Sequence, residues 1–184
     1  ISLKPKTEPG EVPTPDQQRP LMCLSITWRA WDAMRHEDMQ PWRDHWMPTE
    51  LRGARTRGTT ADISWNLQLR IEHAVLLNKQ LHGILYDRYK CFDLLEFHIT
   101  QGLADCLGAP PGVSKANTTL YHQMTRFITV GQWVAPRHQW FTSTNGPPQG
   151  GCWSVTSILM HTAVWVNHMR RTHTDQLDMG VFFD

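Results

Sequence analysis

Proline and glycine divide this chain into short segments, which limits the length of every helix and strand that it can form. Five prolines exclude a helix from the first twenty residues and predict an extended strand and loop there: Pro5, Pro9, Pro13, Pro15 and Pro20. The run Gly-Ala-Pro-Pro-Gly at 108–112 separates two helical patterns, and a second Pro-Gly loop at 145–151 precedes a long one. The chain is therefore expected to combine several helices with short extended segments.

Apolar spacing between these breaks predicts the helices. Residues 22–46 follow a pattern close to helical spacing, in which Pro41 opens a second helix. Asp62 is the predicted N-cap of a helix that runs to about Lys79. Further helices are predicted over 93–107 and 114–127, and from the end of the 145–151 loop to about Arg171.

Extended patterns lie between the predicted helices. The apolar run 81–86 predicts a buried strand that ends at Asp87. Alternating residues over 127–134 and 138–144 predict a hairpin whose turn is Ala135-Pro136-Arg137, and 178–184 predicts a final strand. The expected fold class is therefore α/β, in the α+β sense, with a small antiparallel sheet packed on helices.

Length and composition indicate a packed protein. A chain of 184 residues with 40% hydrophobic residues and nine tryptophans has enough apolar area for one core or two small subdomains. Four tryptophans at helical spacing favour a buried core over a base-stacking platform: Trp28, Trp31, Trp42 and Trp46. The net charge of +1 neither indicates nor excludes a nucleic-acid partner.

The cysteines and the apolar runs indicate in which cellular compartment the protein is expected. The four cysteines are far apart and form no Cys-x-x-Cys pair, which indicates reduced thiols in an intracellular protein: Cys23, Cys91, Cys106 and Cys152. The most apolar stretch, 157–166, is interrupted by His161 and is much shorter than a membrane span. The first residues are too rich in proline and charge for a signal peptide, so no membrane partner is expected.

A carboxylate follows the predicted strand 81–86. The segment 85–93 reads Leu-Tyr-Asp-Arg-Tyr-Lys-Cys-Phe-Asp and contains the pattern D-x-x-K-x-F-D. A carboxylate at the end of a strand is a hard oxygen ligand that suits Mg²⁺ and is held on a rigid element. Taken alone, the pattern fits equally well a solvated Asp that caps the next helix.

A Pro-Gly loop opens the last helix. The segment 146–154 reads Gly-Pro-Pro-Gln-Gly-Gly-Cys-Trp-Ser. Gly150 and Gly151 would let the main chain pass close to a nucleotide and leave the N–H groups of the helix N-terminus available to it. Gln149 offers both a donor and an acceptor to a sugar or base. A plain Pro-Gly turn before a helix is the alternative interpretation.

Together these segments resemble the motifs of reverse transcriptases, in the order of that family. Residues 87–93 resemble motif A, residues 146–154 resemble motif B, and residues 181–184 resemble the start of motif C, an aromatic-x-Asp-Asp hairpin. Upstream, Arg19-Pro20-Leu21 and the basic stretch 53–60 resemble the entry and the loop of the fingers. The resemblance covers nearly the whole chain and is to the enzymes of retroelements without long terminal repeats.

The resemblance implies an RNA-directed DNA polymerase that works by two-metal nucleotidyl transfer. Asp87 and Asp184 would bind two Mg²⁺ ions, with Mn²⁺ as the alternative ion, for in-line displacement at the α-phosphate. Arg55 and Arg57 would lie over the triphosphate, and Phe92 would act as a steric gate against a 2′-hydroxyl. Gln149 and Gly150 would line the nucleotide pocket. Three further residues match the motifs without an assigned role: Lys90, Asp93 and Ser154.

The resemblance also implies domains, partners and a location. Residues 1–80 would be a fingers-like region and 81–184 a palm, truncated before the thumb. The partners would be an RNA template, a DNA primer and deoxynucleoside triphosphates, in the nucleus if the source is a eukaryotic retroelement. The fragment alone is expected to be inactive, because the second Asp of motif C, the primer grip and the thumb are missing. Two alternatives stay open, a catalytically dead palm that serves as a nucleic-acid-binding scaffold and an RNA-templated RNA polymerase.

Overall fold

A computed structural model describes residues 1–5, 18–53, 58–84, 90–173 and 179–181, with only the backbone described at 2–5, 18–21 and 60. Within this part of the chain, helices are combined with a small sheet, in agreement with the expected α/β class. The chain divides into two compact units, one formed by 1–45 with 90–160 and the other by 46–89 with 161–184. The division into fingers and palm at residue 80 stays a prediction.

Six helices are present among the described residues: α1 Ile26–Asp38, α2 Gln40–Trp46, α3 Thr60–Leu76, α4 Phe97–Cys106, α5 Pro111–Gln123 and α6 Cys152–Thr172. The pair α1 and α2 and the long α6 agree closely with the sequence-based prediction. Helix α6 contributes 152–160 to the first unit and 161–172 to the second. None of the described helices is long and apolar enough to cross a membrane.

The sheet lies in the first unit and has four strands: β1 Ser2–Pro5, β2 Gln18–Leu21, β3 Thr129–Val130 and β4 Trp133–Val134. Their order is β2-β1-β3-β4, with Ser2 opposite Leu21 in the antiparallel β1–β2 pair and opposite Thr129 in the parallel β1–β3 pair. The prolines predicted one extended strand and a loop in the first twenty residues, where the structure has two strands, β1 and β2. The parallel pairing of β1 with residue 129 was not predicted.

The predicted hairpin of 127–134 with 138–144 was wrong, because both strands of the observed hairpin, β3 and β4, lie within 127–134. An isolated antiparallel bridge joins Arg126 to Phe141 outside this hairpin. Strands β3 and β4 are joined at Gly131 and Gln132, and Gly131 adopts φ +59°. Glycine accepts a positive φ without a steric penalty, so the chain reverses there instead of at Pro136. The residues after Pro136 form a short 3₁₀ helix, Arg137–Gln139.

The first unit has its core where α1, α2, α4, α5 and the first half of α6 supply aromatic and aliphatic side chains. Phe97 packs on Tyr121 with ring centroids 5.6 Å apart, and Trp42 stacks on Trp153 at 6.4 Å. Trp153 and Ile158 are buried. The four N-terminal tryptophans are all half-buried, and Trp46 already belongs to the second unit. The stacking of Trp42 on Trp153 supports the interpretation of Trp42 as a core residue.

The second unit contains α3, which begins at a different residue from the one predicted. Thr59 is the N-cap, and Asp62 is three residues further on, where its carboxylate accepts from the Thr59 N–H at 2.9 Å. The Thr59 hydroxyl accepts in turn from the Asp62 N–H at 3.3 Å, which completes a capping box. Asp62 therefore marks the start of the helix without being its N-cap.

Two distant parts of the second unit pair through their backbones. Leu51 forms an isolated parallel bridge with Val181, whose N–H donates to the Glu50 carbonyl at 2.9 Å. Glu50 also forms an ion pair with Arg170 of α6. In the described part of the predicted strand 178–184, this bridge is the only strand-like pairing.

Other predicted boundaries were wrong as well. Residues 81–84, the described part of the run 81–86, form no strand, and Leu81 and Ile84 are 49% and 78% exposed, so this part is not buried. Residues 90–94 form a turn in which Lys90 has φ +44°, and α4 therefore starts at Phe97 instead of residue 93. Helix α5 starts at Pro111, a favourable first-turn residue, three residues earlier than predicted.

Candidate functional site

The described residues that follow the segment resembling motif A pair with the start of the segment resembling motif B, and both lie in the first unit. Glu96 pairs with Asn145 in an isolated antiparallel bridge. The Phe97 N–H donates to the Thr144 carbonyl at 3.0 Å, and the Gly146 N–H donates to the Leu95 carbonyl at 3.0 Å. The backbone thus joins residues 95–97, just after the first segment, to residues 144–146 at the start of the second.

Gly146 lies next to Asp93, the last residue of the first segment. It is buried and adopts φ +73°, a conformation that other residues rarely take. A Cβ added to it would lie 3.6 Å from the Asp93 Cα and carbonyl oxygen and 3.6 Å from Nη1 of Arg126. These distances are ordinary contacts, so the positive φ is what favours glycine there.

Arg126 is a charged residue of this site that sequence reasoning missed. It is 5% exposed, its Nη1 donates to the Asn145 carbonyl at 3.3 Å, and its guanidinium lies 5.8 Å from the Phe97 ring centroid. Nε and Nη2 find no hydrogen-bond partner among the described residues. Burial lowers the pKa of this guanidinium, and nearby Tyr121 and Asp93 partly offset that effect. Nothing in the sequence around Arg126 distinguishes it from a surface arginine.

Ser154 is a structural member of the site. It is buried, its Oγ donates to the Pro148 carbonyl at 2.7 Å, and it shares a hydrogen bond with the Tyr121 hydroxyl at 3.2 Å. Burial raises the pKa of Tyr121, so the phenol stays protonated. This arrangement folds the 147–151 loop back on the first turn of α6, and Tyr121 is a second residue that sequence reasoning missed.

The predicted pocket residues Gln149 and Gly150 lie at the tip of that loop. Gln149 is half-buried, while Gly150 is exposed and has φ +107°, which glycine allows. The Gly151 N–H donates to the Pro148 carbonyl at 3.1 Å and closes the turn. The side chain of Gln149 is therefore presented on a compact turn that precedes α6.

The expectation of free N–H groups at the start of α6 was wrong. The buried carboxylate of Asp32, from α1, accepts from the Cys152 N–H at 2.6 Å and from the Trp153 N–H at 3.3 Å. A carboxylate is the group that the positive end of a helix favours. Burial and the same carboxylate raise the pKa of the Cys152 thiol, which makes that cysteine a poor nucleophile.

The other predicted site residues divide into two groups. Four of them lie outside the described residues: Asp87, Asp184, Arg55 and Arg57. Lys90, Phe92 and Asp93 belong to the 90–94 turn, where Lys90 is exposed and the other two are half-buried. Within the described ranges, no group of three or more His, Cys, Asp or Glu side chains is placed to hold a metal ion.

In comparisons with known proteins, no family model matches this chain, and no curated protein matches it. The geometry described above is therefore the basis on which a function can be argued.

Proposed function

We propose that this chain is the fingers and palm region of a reverse transcriptase, which copies RNA into DNA by nucleotidyl transfer. The observation that carries the proposal is the backbone pairing of residues 95–97 with 144–146. Residues 95–97 directly follow the segment that resembles motif A, and residues 144–146 lead into the segment that resembles motif B, so this pairing supports a shared site for two segments that are far apart in sequence. A polymerase needs them together, because one carries the metal-binding carboxylate and the other contacts the same nucleotide.

Each residue has a definite task under this proposal. Gln149, on its compact turn, would hydrogen-bond the sugar or base, and exposed Gly150 would allow the nucleotide to approach the main chain. Phe92 would limit the space beside the sugar. Arg55 and Arg57 would neutralise triphosphate charge, a contribution that phosphoryl transfer depends on strongly.

The proposed metal ligands fit Mg²⁺ by their chemistry. Asp87 and Asp184 offer carboxylate oxygens, which Mg²⁺ prefers, and their position outside the described residues leaves their separation as a prediction. When bound, the ions would supply charge neutralisation at the attacking and leaving oxygens. Two carboxylates that hold ions about 4 Å apart must lie on neighbouring segments of the folded chain, which is what we expect of Asp87 and Asp184.

Primer extension tests this proposal in the parent protein that contains the chain. Asp87→Asn should abolish incorporation of deoxynucleotides on an RNA template, with an unchanged melting temperature, because it removes a metal-binding charge with little change in volume. The matched control is Asp105→Asn on the exposed face of α4, which should extend primers normally. Full extension by the Asp87 variant would remove this residue from the metal site.

The same assay separates the alternatives. A parent protein that binds a primer–template duplex but never extends the primer would be a nucleic-acid-binding scaffold. Extension with ribonucleotides in preference to deoxynucleotides would indicate an RNA-templated RNA polymerase.

A further inference from the structure

A carboxylate buried in the first unit has no role in the function proposed so far. Asp32, in the middle of α1, is 2% exposed. Aspartate is almost never buried to this extent unless its charge is met by hydrogen bonds or a cation. Burial raises the pKa of Asp32, while the backbone N–H groups of Trp153 and Cys152 act against that rise. The partner of this carboxylate is thus the first turn of α6.

The contact fills the position that an anion would otherwise occupy. The first N–H groups of a helix have no partner within the helix and attract negative charge. Oδ2 of Asp32 takes the two groups of Cys152 and Trp153, at 2.6 and 3.3 Å. A residue that is 120 positions away in sequence therefore caps α6 from outside.

The same carboxylate limits the space around the loop that precedes α6. A Cβ added to Gly151 would lie 3.2 Å from Ser154 Oγ, 3.3 Å from Asp32 Oδ2 and 3.3 Å from the Tyr121 hydroxyl. These distances are tighter than ordinary contacts, so three polar groups close around one glycine. Ser154 Oγ in turn holds the Pro148 carbonyl at 2.7 Å. The turn that contains Gln149 is thereby held at Pro148 by Ser154 and at Gly151 by the three surrounding polar groups.

We infer that Asp32 is a positioning residue for the loop 148–151, which it holds in the conformation that presents Gln149 and Gly150 to a nucleotide. This inference rests on the proposed function. It also assigns the nucleotide's phosphates to other groups, because the start of α6 already holds the protein's own carboxylate. The loop would then recognise the sugar or base, and Asp32 would act on that recognition without touching the substrate.

The contact itself can be tested in the chain alone by nuclear magnetic resonance of backbone amides. Asp32→Ala should shift the amide proton signals of Cys152 and Trp153 upfield and speed their hydrogen exchange at least tenfold, because the acceptor is lost. Asp32→Asn keeps an acceptor oxygen, so its amide signals and exchange rates should stay close to those of the wild type. Asp38→Ala is the matched control, an exposed carboxylate on the same helix that pairs with Arg35. Unchanged amide signals in Asp32→Ala would overturn the inference.

Its consequence for the nucleotide can be tested by primer extension in the parent protein. Asp32→Ala should raise KM for the deoxynucleotide about tenfold and leave kcat within about twofold, since a misplaced loop weakens binding of substrate and transition state alike. Asp32→Asn should recover most of the KM, which a general loss of folded protein could not explain. An unchanged KM in a stable Asp32→Ala protein would overturn the inference while leaving the proposed function intact.

Two further outcomes are informative. If Asp32→Ala does not fold, Gly151→Ala should give the same rise in KM, because its new Cβ crowds Asp32 Oδ2. If the wild-type parent extends no primer, the proposed function fails, and the positioning role fails with it even where the amide signals confirm the contact. A KM that is normal in Gly151→Ala would also count against the loop as the element that Asp32 positions.

Discussion

Asp32 and Arg126 are both buried ionisable residues of the first unit, but their surroundings differ. The carboxylate of Asp32 accepts two backbone hydrogen bonds at the start of α6. The guanidinium of Arg126 donates one, to Asn145, and leaves two nitrogens without a partner among the described residues. Burying a charge costs several kcal/mol unless hydrogen bonds satisfy it, so Arg126 is the costlier of the two groups.

That difference predicts the effect of replacing Arg126. Arg126→Met keeps the packing on Phe97 and removes an incompletely paired cation, so the free energy of unfolding should be unchanged or rise by about 1 to 2 kcal/mol. Arg126→Ala also loses the packing and should be less stable than the Met variant by about 2 kcal/mol or more. Urea unfolding of the three proteins measures both differences. A Met variant less stable than wild type by about 2 kcal/mol would mean that the cation is well paired.

Phe92 should determine which sugar the nucleotide site accepts. If its ring limits the space beside the sugar, Phe92→Ala should admit ribonucleotides, because overlap of that size is worth about 1 to 3 kcal/mol, or roughly tenfold to hundredfold in selectivity. The measurement is kcat/KM for deoxy- and ribonucleotides in the parent protein. An ordinary core role would instead lower stability by about 3 to 5 kcal/mol and depress both substrates equally. An unchanged ratio would therefore exclude the gate.

At the scale of elements, α3 differs from the other helices in how little of it is covered. Apart from the half-buried Ile63, its large apolar side chains are exposed to solvent, with Trp65 at 66% and Val75 at 73%. Helices of the first unit gain stability from packing, whereas an exposed helix depends more on its own ends and on local side-chain pairs. The capping box of Thr59 and Asp62 should therefore matter more to α3 than a cap usually matters.

Thr59→Ala tests that expectation. The substitution removes the hydroxyl that accepts from the Asp62 N–H, and a lost cap costs about 1 kcal/mol. We expect faster hydrogen exchange of the amides in the first turn of α3 and a small loss of helical circular dichroism. Thr119→Ala, at an exposed position within α5, is the control and should leave both unchanged. Equal exchange in the two variants would mean that the capping box does not hold the helix.

Some boundaries of the helices and strands could be predicted from the sequence, and others could not. The start of α6 could be predicted, because two prolines and two glycines leave little choice about where a helix begins. The hairpin turn could not be placed, because Gly131 and Pro136 are both turn residues and only the pairing of β3 with β4 decides between them. The prediction of a buried strand was wrong for residues 81–84, because an apolar pattern indicates that a segment could be buried, not that anything covers it.

The candidate site was predictable only in its local parts. Gln149 and Gly150 could be identified because their motif is continuous in sequence. Asp32 and Arg126 could not, because each acquires its role from partners that are distant along the chain, Cys152 in one case and Asn145 in the other. Patterns of spacing within one helix contain no trace of such contacts.

At the scale of the whole molecule, stability should depend on pH through His36. Its Nε2 lies 2.7 Å from Nη1 of Arg43, and burial, with the charge of Arg43, lowers the pKa of His36 from 6.5 to about 4. A lowered pKa means that the unfolded chain binds a proton more readily than the folded one. The stabilising contribution is therefore complete above pH 6.5 and is lost as the pH falls toward 4.

As the pH falls from 6.5 to 4, protonation of His36 should lower the free energy of unfolding. The shift in pKa sets an upper limit of about 3 kcal/mol, and solvent screening of the half-buried ring makes the actual loss smaller. His36→Gln keeps an acceptor for Arg43 and should flatten that part of the profile. Asp32 acts in the opposite direction, since its raised pKa makes its contribution smaller as the pH rises. His98→Gln, an exposed histidine beside Glu96, is the control. An identical pH profile in His36→Gln and wild type would contradict the assignment.

The long reach of the Asp32 contact also has a consequence for biosynthesis. Helix α1 leaves the ribosome 120 residues before the backbone groups that Asp32 binds. At about 5 to 20 residues per second, this interval lasts roughly 6 to 24 seconds. During that time the carboxylate must stay in water, so α1 cannot take its final place. The nascent chain thus has to wait for α6 before α1 can be buried, which makes the intervening period the one in which a chaperone would protect it most.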